Sequence, residues 1–271
     1  MLFRSSKPCL KSYEGAPLRS TFFAFRSGYS YEEALRFQGI LNAEGYTGLL
    51  AFEPPETITF GNQSRPDDLL VSEEFLFKRG ISLLSTDRGG KTAYHGPGQV
   101  LGFPIANLNR TYGDARAVKR FSEELLLGLA HAVAVLGVRS VEARSDAPGL
   151  WTSRGRLASV GINVKDGYIF HGFSLNLTQD CVSGHSLIQS CDTIDCPITS
   201  LEQEGIRIDG SRELVTRILP YLSVIQGDKV FRESKSVSYE DAYANLVSAV
   251  SRSQMAIDHF RSNLESVGHR E

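Results

Sequence analysis

Residues 88–99 read RGGKTAYHGPGQ, twelve residues that include four glycines, a proline, a histidine, a tyrosine and two cations. Glycine permits positive φ and lets the backbone approach a ligand, and N–H groups freed in this way can point at a carbonyl or an anion. A tight surface loop between two strands is the alternative, but the arginine and histidine among the glycines favour a binding loop. Apolar segments flank it, GISLLST at 80–86 and VLGFPIANL at 100–108, and both predict strands. We therefore expect a functional loop where two strands end.

Strand and helix patterns continue on both sides of this loop. Helical spacing of apolar residues predicts a helix at 31–44 after an N-cap at Ser30, and another at 114–136 between an N-cap at Asp114 and a terminating Gly137. The segments 156–164 and 168–177 are predicted to pair as antiparallel strands across a turn at 165–167. The other predicted strands are 20–25, 46–52, 56–60 and 138–143, with partly helical structure at 67–77 and amphipathic helices at 214–222 and 242–250.

The chain shows no internal repeat and no low-complexity linker. We therefore expect one domain over residues 20–230. A flexible extension at 1–19 precedes it, and a helical tail at 231–271 follows it.

Composition excludes several classes of function. The chain has 271 residues, 41% of them hydrophobic and 22% charged, which is typical of a soluble globular protein. Its formal net charge of −2 gives no sign of nucleic-acid binding, and no apolar run is long enough to span a membrane. The cysteines at 9, 181, 191 and 196 match no common zinc spacing, so no metal site is predicted.

The N-terminus leaves the compartment open between two alternatives. Residues 1–20 are basic, serine-rich and poor in acids, as organelle transit peptides are, and a disordered bacterial extension has the same composition. Few cysteines in a long chain and no apolar signal segment favour the cytoplasm, with an organelle as the alternative.

Several motifs together resemble the octanoyltransferase family, whose enzymes move octanoyl groups from acyl carrier protein to lipoyl domains. Besides RGGKTAYHGPGQ, the family's order and spacing are matched over roughly residues 20–205, ending with a cysteine eight residues before Thr199. The matching motifs are EPP at 53–55 with TFG at 59–61, PGLW at 148–151, ASVG at 158–161 and HGFSLN at 171–176.

The resemblance implies an α+β fold like that of the biotin and lipoate protein ligases, with mixed β-sheets flanked by helices. It also implies a two-step acyl transfer that begins endogenous protein lipoylation. A cysteine takes the octanoyl group from its carrier as a thioester, and the lysine of a lipoyl domain then accepts it. That cysteine corresponds to Cys191. Substrate-binding residues are expected in three of the motifs: Arg88, Gly89, Gly90, Lys91, Thr92, Ala93, Tyr94 and His95; Ser159, Val160 and Gly161; and Gly172, Phe173 and Ser174.

The implied partners are octanoyl-acyl carrier protein and the lipoyl domains of 2-oxoacid dehydrogenase complexes and of the glycine cleavage H protein. No nucleic acid or membrane partner is expected, and a monomer is expected. No cofactor is implied, because the acyl group arrives already activated. Both substrates are small acidic domains, so a basic rim is predicted from four side chains: Arg65, Lys91, Arg154 and Arg156.

Chemistry assigns further roles to residues near the motifs. A thiolate is the reactive form of cysteine, so nearby cations should favour it. The developing oxyanion needs donors, and backbone N–H groups of the glycine loop or of residues 159–161 are candidates. Phe103, Phe173 and Leu175 are candidates for an apolar slot that holds the acyl chain.

Two positions depart from the family pattern. The family lysine that lowers the pKa of the cysteine is replaced by Arg156, which keeps the charge but cannot act as a base. If that lysine also moves a proton, the role passes to another group, for which His95, His171 and Lys165 are the candidates. The family's Pro-Cys-Gly reads Ser-Cys-Asp here, and Asp192 would raise the pKa of the thiol if its carboxylate faced it.

Two other functions remain open at this stage. An ATP-dependent lipoate or biotin protein ligase would share the fold, but the HGPGQ motif, Cys191 and the missing lysine at position 156 argue against it. A lipoyl amidotransferase is a near relative of both. A non-catalytic protein that binds acyl groups or acylated carrier protein is favoured only by Arg156 and Asp192.

Overall fold

The computed structural model describes residues 21–189 and 196–225. Within these residues the strands form two sheets. The larger has seven strands in the spatial order β1-β2-β6-β10-β9-β8-β7, and the smaller has three in the order β4-β3-β5. The strands are β1 (Thr21–Ser27), β2 (Thr47–Glu53), β3 (Thr57–Phe60), β4 (Ser82–Ser85), β5 (Ala93–His95), β6 (Gln99–Ile105), β7 (Glu142–Arg144), β8 (Gly149–Thr152), β9 (Gly155–Lys165) and β10 (Tyr168–Asn176).

Six α-helices accompany the sheets in the described residues. They are α1 (Tyr31–Ala43), α2 (Glu73–Lys78), α3 (Leu108–Tyr112), α4 (Val118–Val135), α5 (Gln179–Gly184) and α6 (Ser211–Ile218), together with short 3₁₀ turns. None of the described helices is long and apolar enough to cross a bilayer.

The large sheet is covered differently on its two faces. The apolar stripe of α4, with Phe121, Leu125 and Leu129 fully buried, packs with α6 on one face and forms the main core. On the other face α1 packs against β2 and β6 through a second cluster that contains Tyr31, Leu101 and Phe103. Because side chains alternate between the faces of a strand, Val100 belongs to the first cluster and Leu101 to the second. The sheet is therefore the central layer of the fold, as the sequence predicts.

Local sequence signals explain two of these elements. Asp166 and Gly167 have φ of 51° and 79°, which makes them the two-residue turn that joins β9 to β10 as an antiparallel hairpin. Ser30 caps α1 in a reciprocal capping box with Glu33. The predicted hairpin and N-cap are thus confirmed.

The boundaries of the long helix were predicted wrongly at its start. Gly113, with φ of 71°, ends the short helix α3, and the Asp114 carboxylate accepts a hydrogen bond from the Arg116 N–H at 2.9 Å. Asp114 therefore shapes a turn, and α4 begins only at Val118. The strand β5 was missed altogether, because three residues inside a glycine-rich stretch carry no strand pattern. The predicted helix at 242–250 lies outside the described residues.

Truncation of the α4 stripe tests the core. Leu129 is fully buried, and Leu129→Ala should lower the free energy of unfolding by about 2–5 kcal/mol, because it removes buried methyl groups and leaves a cavity. Leu127 on the same helix is 64% exposed, so Leu127→Ala should change it by no more than about 0.5 kcal/mol. Urea denaturation of both variants decides this, and equal losses would contradict the assigned face of α4.

Candidate active site

A cavity of about 170 Å³ lies on the α1 face of the large sheet, beneath the glycine loop. Its floor consists of alternate residues from three adjacent strands: Leu101 and Phe103 on β6, Gly172 and Ser174 on β10, and Ser159 and Gly161 on β9. Residues 88–93 and His95 form the roof, and Tyr31 from the first turn of α1 forms one wall. The floor of β9 and β10 is made of glycine and serine, which leaves room above the sheet.

The glycine loop is attached to the large sheet directly through the backbone. The N–H of Gly89 donates to the carbonyl of Ile162 at 3.2 Å, and a Cβ on Gly161 would lie 2.9 Å from the carbonyl oxygen of Gly89. A Cβ on Gly61 would lie 2.2 Å from the carbonyl oxygen of Gly90, closer than real Cβ atoms come. The glycines at 61 and 161 are therefore required by close backbone contact.

Arg88 fixes the start of this loop. Its guanidinium is 6% exposed and donates to both the carbonyl oxygen and the hydroxyl oxygen of Thr59, at 2.7 and 2.8 Å, and to the carbonyl of Gly89 at 3.0 Å. Burial lowers the pKa of Arg88. Arg88 both lines the cavity and connects β3 to the loop, so its substitution would disturb both.

Arg156 lines the same cavity from the first residues of β9. Burial and, secondarily, the charge of Arg88 lower the pKa of Arg156 to about 10, which leaves it protonated at neutral pH. The guanidinium lies 5.8 Å from the ring centroid of Trp151. Its backbone N–H donates to the carbonyl of Pro197 at 2.8 Å, which ties this part of β9 to the chain that follows residue 195. Arg156 is therefore a strand residue at the cavity and not a solvent-exposed turn residue.

A hydrogen-bonded network runs from the buried Tyr31 ring, through the buried His171, to the exposed Asp87. The Tyr31 hydroxyl is 2.9 Å from Nδ1 of His171, and Nε2 of His171 is 2.7 Å from Oδ1 of Asp87. Burial lowers the pKa of His171, so the imidazole is neutral, with Nε2–H donating to the carboxylate and Nδ1 accepting from Tyr31. Burial raises the pKa of Asp87, but hydrogen bonds from His171 and Lys165 outweigh it and hold the pKa at about 2. The network therefore has one fixed protonation state at neutral pH.

Gln38 holds the backbone of His171 in an unusual conformation. His171 has φ of 58°, which a non-glycine residue rarely adopts. The Gln38 side chain accepts the His171 N–H at 2.7 Å and donates to the His171 carbonyl at 2.9 Å. This amide clamp stabilises a strained residue within β10.

His95 is also fixed and neutral. Nδ1 of His95 donates to Oε1 of Gln99 at 2.8 Å, and Nε2 accepts from the Thr59 hydroxyl at 3.1 Å. Burial and the nearby charge of Arg88 lower the pKa of His95 to about 3. Its ring stacks on Tyr31 with centroids 5.4 Å apart.

The structure brings most of the predicted substrate-binding residues together around the cavity: Arg88, Gly89, Gly90, Lys91, Thr92, Ala93, His95, Ser159, Val160, Gly161, Gly172, Phe173 and Ser174, with Arg156. The side chains of Val160 and Phe173 nevertheless pack in the main core on the opposite face.

Strand alternation separates two other candidates from the cavity. Ala93 and His95 of β5 line it, so Tyr94 between them faces away and donates its hydroxyl to Glu56 at 2.9 Å. Leu175 likewise packs in the main core, so it does not line the apolar slot.

The three candidates for moving a proton lie around Asp87 and Tyr31. His171 and Lys165 both bind Asp87, and His95 stacks on Tyr31. The backbone N–H groups of Gly89 and Val160 are already bonded to the carbonyls of Ile162 and Pro148, so neither is available for an oxyanion.

Of the four cysteines, Cys181 and Cys196 lie in the described residues. Cys191 and its neighbour Asp192 lie outside them. Cys181 is free and buried, and burial raises the pKa of its thiol to about 12, which disqualifies it as a nucleophile. Cys196 is disulfide-bonded. Among residues 21–189 and 196–225, no group of three or more His, Cys, Asp or Glu side chains could hold a metal ion.

Sequence reasoning missed Tyr31, Gln38 and Asp87. Tyr31 and Gln38 look like ordinary residues of an amphipathic helix, and Asp87 precedes the glycine loop without any pattern of its own. A non-apolar residue at a core position of a helix, as Gln38 is, was the one signal that could have drawn attention to them.

Comparison with known proteins gives a consistent family. Residues 29–220 match the family model of the lipoyl protein ligase A/B catalytic domain. An octanoyltransferase of Syntrophotalea carbinolica is 35% identical over 179 residues, which cover 66% of this chain and 79% of that protein. An octanoyltransferase of Chloroflexus aurantiacus is 31% identical over 204 residues, covering 72% of this chain and 89% of that protein.

Solved structures support the fold. A lipoate-protein ligase A bound with ATP superposes with a TM-score of 0.57 at 12% identity, covering 74% of this chain and 85% of that one. A bipartite lipoate protein ligase from Thermoplasma acidophilum gives a TM-score of 0.51 at 10% identity, covering 87% of this chain and 85% of that one. The matched range contains the cavity, the glycine loop and both arginines that line it. The chain therefore belongs, as its motifs predict, to the octanoyltransferases of the lipoyl protein ligase A/B catalytic-domain family.

Proposed function

We propose that this protein transfers an octanoyl group from acyl carrier protein to the lysine of a lipoyl domain, through a thioester on Cys191. The observation that carries the proposal is the cavity: an apolar and small-residue floor under the glycine loop, with the fixed cation Arg156 among its lining residues. The identity to octanoyltransferases, 31–35% in the relatives above, supports the acyl group chosen.

The two steps balance without any cofactor. The Cys191 thiolate attacks the thioester carbonyl, a new carbon–sulfur bond forms, and the carrier leaves as a thiolate that takes up a proton. The lysine amine of the acceptor then attacks the enzyme thioester, the amide bond forms, and Cys191 leaves as a thiolate. The proton lost by the amine passes to water. The acyl group enters activated, so no ATP is consumed.

Arg156 is assigned the stabilisation of the thiolate. An unperturbed cysteine has a pKa of about 8.5, so only a small part is ionised at neutral pH, and an adjacent cation increases that part. Arg156 remains charged and is removed from bulk water, where its charge acts more strongly on a nearby anion. It does not exchange its proton at neutral pH, so it acts as a fixed charge and not as a base.

The described residues on either side of Cys191 support its place beside Arg156. The N–H of Gln189 donates to the carbonyl of Asp68 at 2.7 Å, and Pro197 accepts from the backbone of Arg156. Asp68 in turn accepts a hydrogen bond from Thr92 of the glycine loop at 2.7 Å. Both anchors of the intervening segment therefore connect to residues that line the cavity or to their neighbours.

Cations at the cavity and on the turn before β9 support the proposed partners. Lys91 lines the cavity, and Arg154 is 64% exposed on the turn before β9, where its guanidinium is 3.9 Å from Glu204. These cations support the docking of the two acidic domains, carrier protein and lipoyl domain.

Mass spectrometry of the intact protein tests the acyl-enzyme. The purified chain is mixed with octanoyl-acyl carrier protein, without ATP and after treatment with a phosphine reductant, because Cys196 is disulfide-bonded and a thiol reductant would itself take the octanoyl group. We expect one octanoyl adduct that hydroxylamine removes and that a lipoyl domain clears. Cys191→Ala should abolish the adduct, whereas Cys181→Ala and Cys196→Ser should keep it.

The other outcomes separate the alternatives. An adduct on the acceptor that requires ATP would indicate a ligase. Retention of the acyl carrier without any adduct on the wild-type chain would indicate a binding protein and contradict the transfer.

Replacement of Arg156 tests the fixed charge. Arg156→Gln removes the cation, so the pKa of the nucleophile should rise by about one unit, and the adduct should form about tenfold more slowly at neutral pH. The loss should disappear at alkaline pH, where the thiol ionises without help. Arg154→Gln, a change of the same charge on the preceding turn, should leave the midpoint of the pH profile in place. An Arg156→Gln rate that is lowered equally at every pH would contradict thiolate stabilisation.

A further inference from the structure

The cavity has two distinct ends, set by the pairing of β9 and β10. Arg156 lies six residues before Ile162 on β9, which separates their backbones by about 20 Å along the strand. Ile162 is the β-ladder partner of His171, and His171 holds the Tyr31 hydroxyl at 2.9 Å. Since both Arg156 and Tyr31 line the cavity, it extends along these strands with Arg156 at the outer end and Tyr31 at the inner end.

The inner end is closed. The glycine loop meets the floor there, through the hydrogen bond from Gly89 to the carbonyl of Ile162. Tyr31 fills the remaining space, with its ring 5.4 Å from that of His95 and edge-on to Phe103 at 5.2 Å. The ring is 3% exposed. An acyl chain that enters from the Arg156 end therefore stops at this ring.

Hydrogen bonds prevent Tyr31 from turning out of the way. Its hydroxyl donates to His171, which Asp87 holds from the other side and whose backbone Gln38 clamps. His171 is fully buried, so a rotation of Tyr31 would leave its Nδ1 without a partner in the protein interior. The wall is thus rigid, in contrast to a wall made of an unbranched aliphatic side chain.

The dimensions agree with a medium-length chain. The cavity of about 170 Å³ is close in size to an engineered cavity of about 150 Å³ that binds benzene, so a chain of medium length is enough to fill it. An extended eight-carbon chain is about 9 Å long, because each bond is about 1.5 Å. The backbones at the two ends are about 20 Å apart along the strand, and the Arg156 side chain takes up part of that distance, so the acyl chain fits in the remainder.

We propose that Tyr31 is the residue that limits the acyl chain to about eight carbons, by forming the end of the cavity opposite Arg156. This inference rests on the proposed acyl transfer and names a determinant of its chain-length specificity. The polar network of His171, Asp87 and Gln38 acts through Tyr31, as a set of positioning residues.

The test compares acyl-carrier thioesters of six to fourteen carbons. For the wild type we expect the highest kcat/KM at eight. Tyr31→Ala opens the inner end, and each methylene newly buried there is worth about fourfold, so the twelve-to-eight-carbon ratio of kcat/KM should rise about tenfold or more. Tyr31→Phe keeps the ring, so its optimum should stay at eight.

A matched control separates this effect from general loosening. Tyr29 belongs to the same buried cluster but does not line the cavity, so Tyr29→Ala should keep the optimum at eight. If Tyr31→Ala does not fold, Tyr31→Leu, which shortens the wall with a smaller loss of packing, takes its place. A folded variant whose optimum remains at eight would overturn the proposal.

A second readout distinguishes failure of this inference from failure of the proposed function. Calorimetric binding of free carboxylic acids of the same lengths needs no transfer. One outcome is that the wild type transfers no acyl group, while the longest acid that binds tightly is longer for the Tyr31→Ala variant than for the wild type. That outcome would contradict the proposed function and support Tyr31 as the end of the cavity. A wild type that transfers all lengths equally would keep the function and overturn the end wall.

Discussion

The backbone contact between the glycine loop and the large sheet is the constraint on which the site depends. Gly89 bonds to Ile162, and a side chain at position 161 would press against the loop. Arg88 stabilises this contact through the hydrogen bonds that its guanidinium donates to Thr59 and to the carbonyl of Gly89. The small sheet is thereby attached to the large one, and the cavity is the space that this attachment leaves over the glycines and serines of β9 and β10.

The two arginines of the cavity differ in what they can do. Arg88 donates four hydrogen bonds to oxygen atoms of Thr59 and Gly89 and acts mainly in the architecture. Arg156 sits at the outer end with a pKa lowered to about 10, still too high for proton exchange at neutral pH. In the proposed reaction the chain therefore relies on a fixed charge where the family pattern has a lysine. His171 and Lys165, which could have replaced a base, bind Asp87, and His95 stacks on Tyr31 at the inner end.

Much of the fold could be predicted because its signals are local. The turn at 165–167, the cap at Ser30 and the stripe of α4 each depend on neighbouring residues, and the structure contains them. The glycine loop could be predicted because a high density of glycines next to charged residues is itself a signal. Tyr31, Gln38 and Asp87 were not found, since their roles arise from contacts between α1, the loop and β10 that no local pattern encodes. Tyr94 and Leu175 were predicted to line the site because they belong to its motifs, although strand alternation turns their side chains away from the cavity. The predicted start of α4 was wrong because the Asp114 carboxylate accepts a hydrogen bond within a turn.

In the proposed acyl-enzyme, the octanoyl chain lies along β9 and β10, with its carbonyl at Arg156 and its methyl end at Tyr31. A crystal structure of the protein loaded with octanoyl from its carrier tests this arrangement. We expect electron density for a thioester on Cys191 beside the Arg156 guanidinium, with the acyl chain running over Ser159, Gly161 and Gly172 and ending against the Tyr31 ring. Density for the chain outside this cavity, or with its methyl end at Arg156, would contradict it.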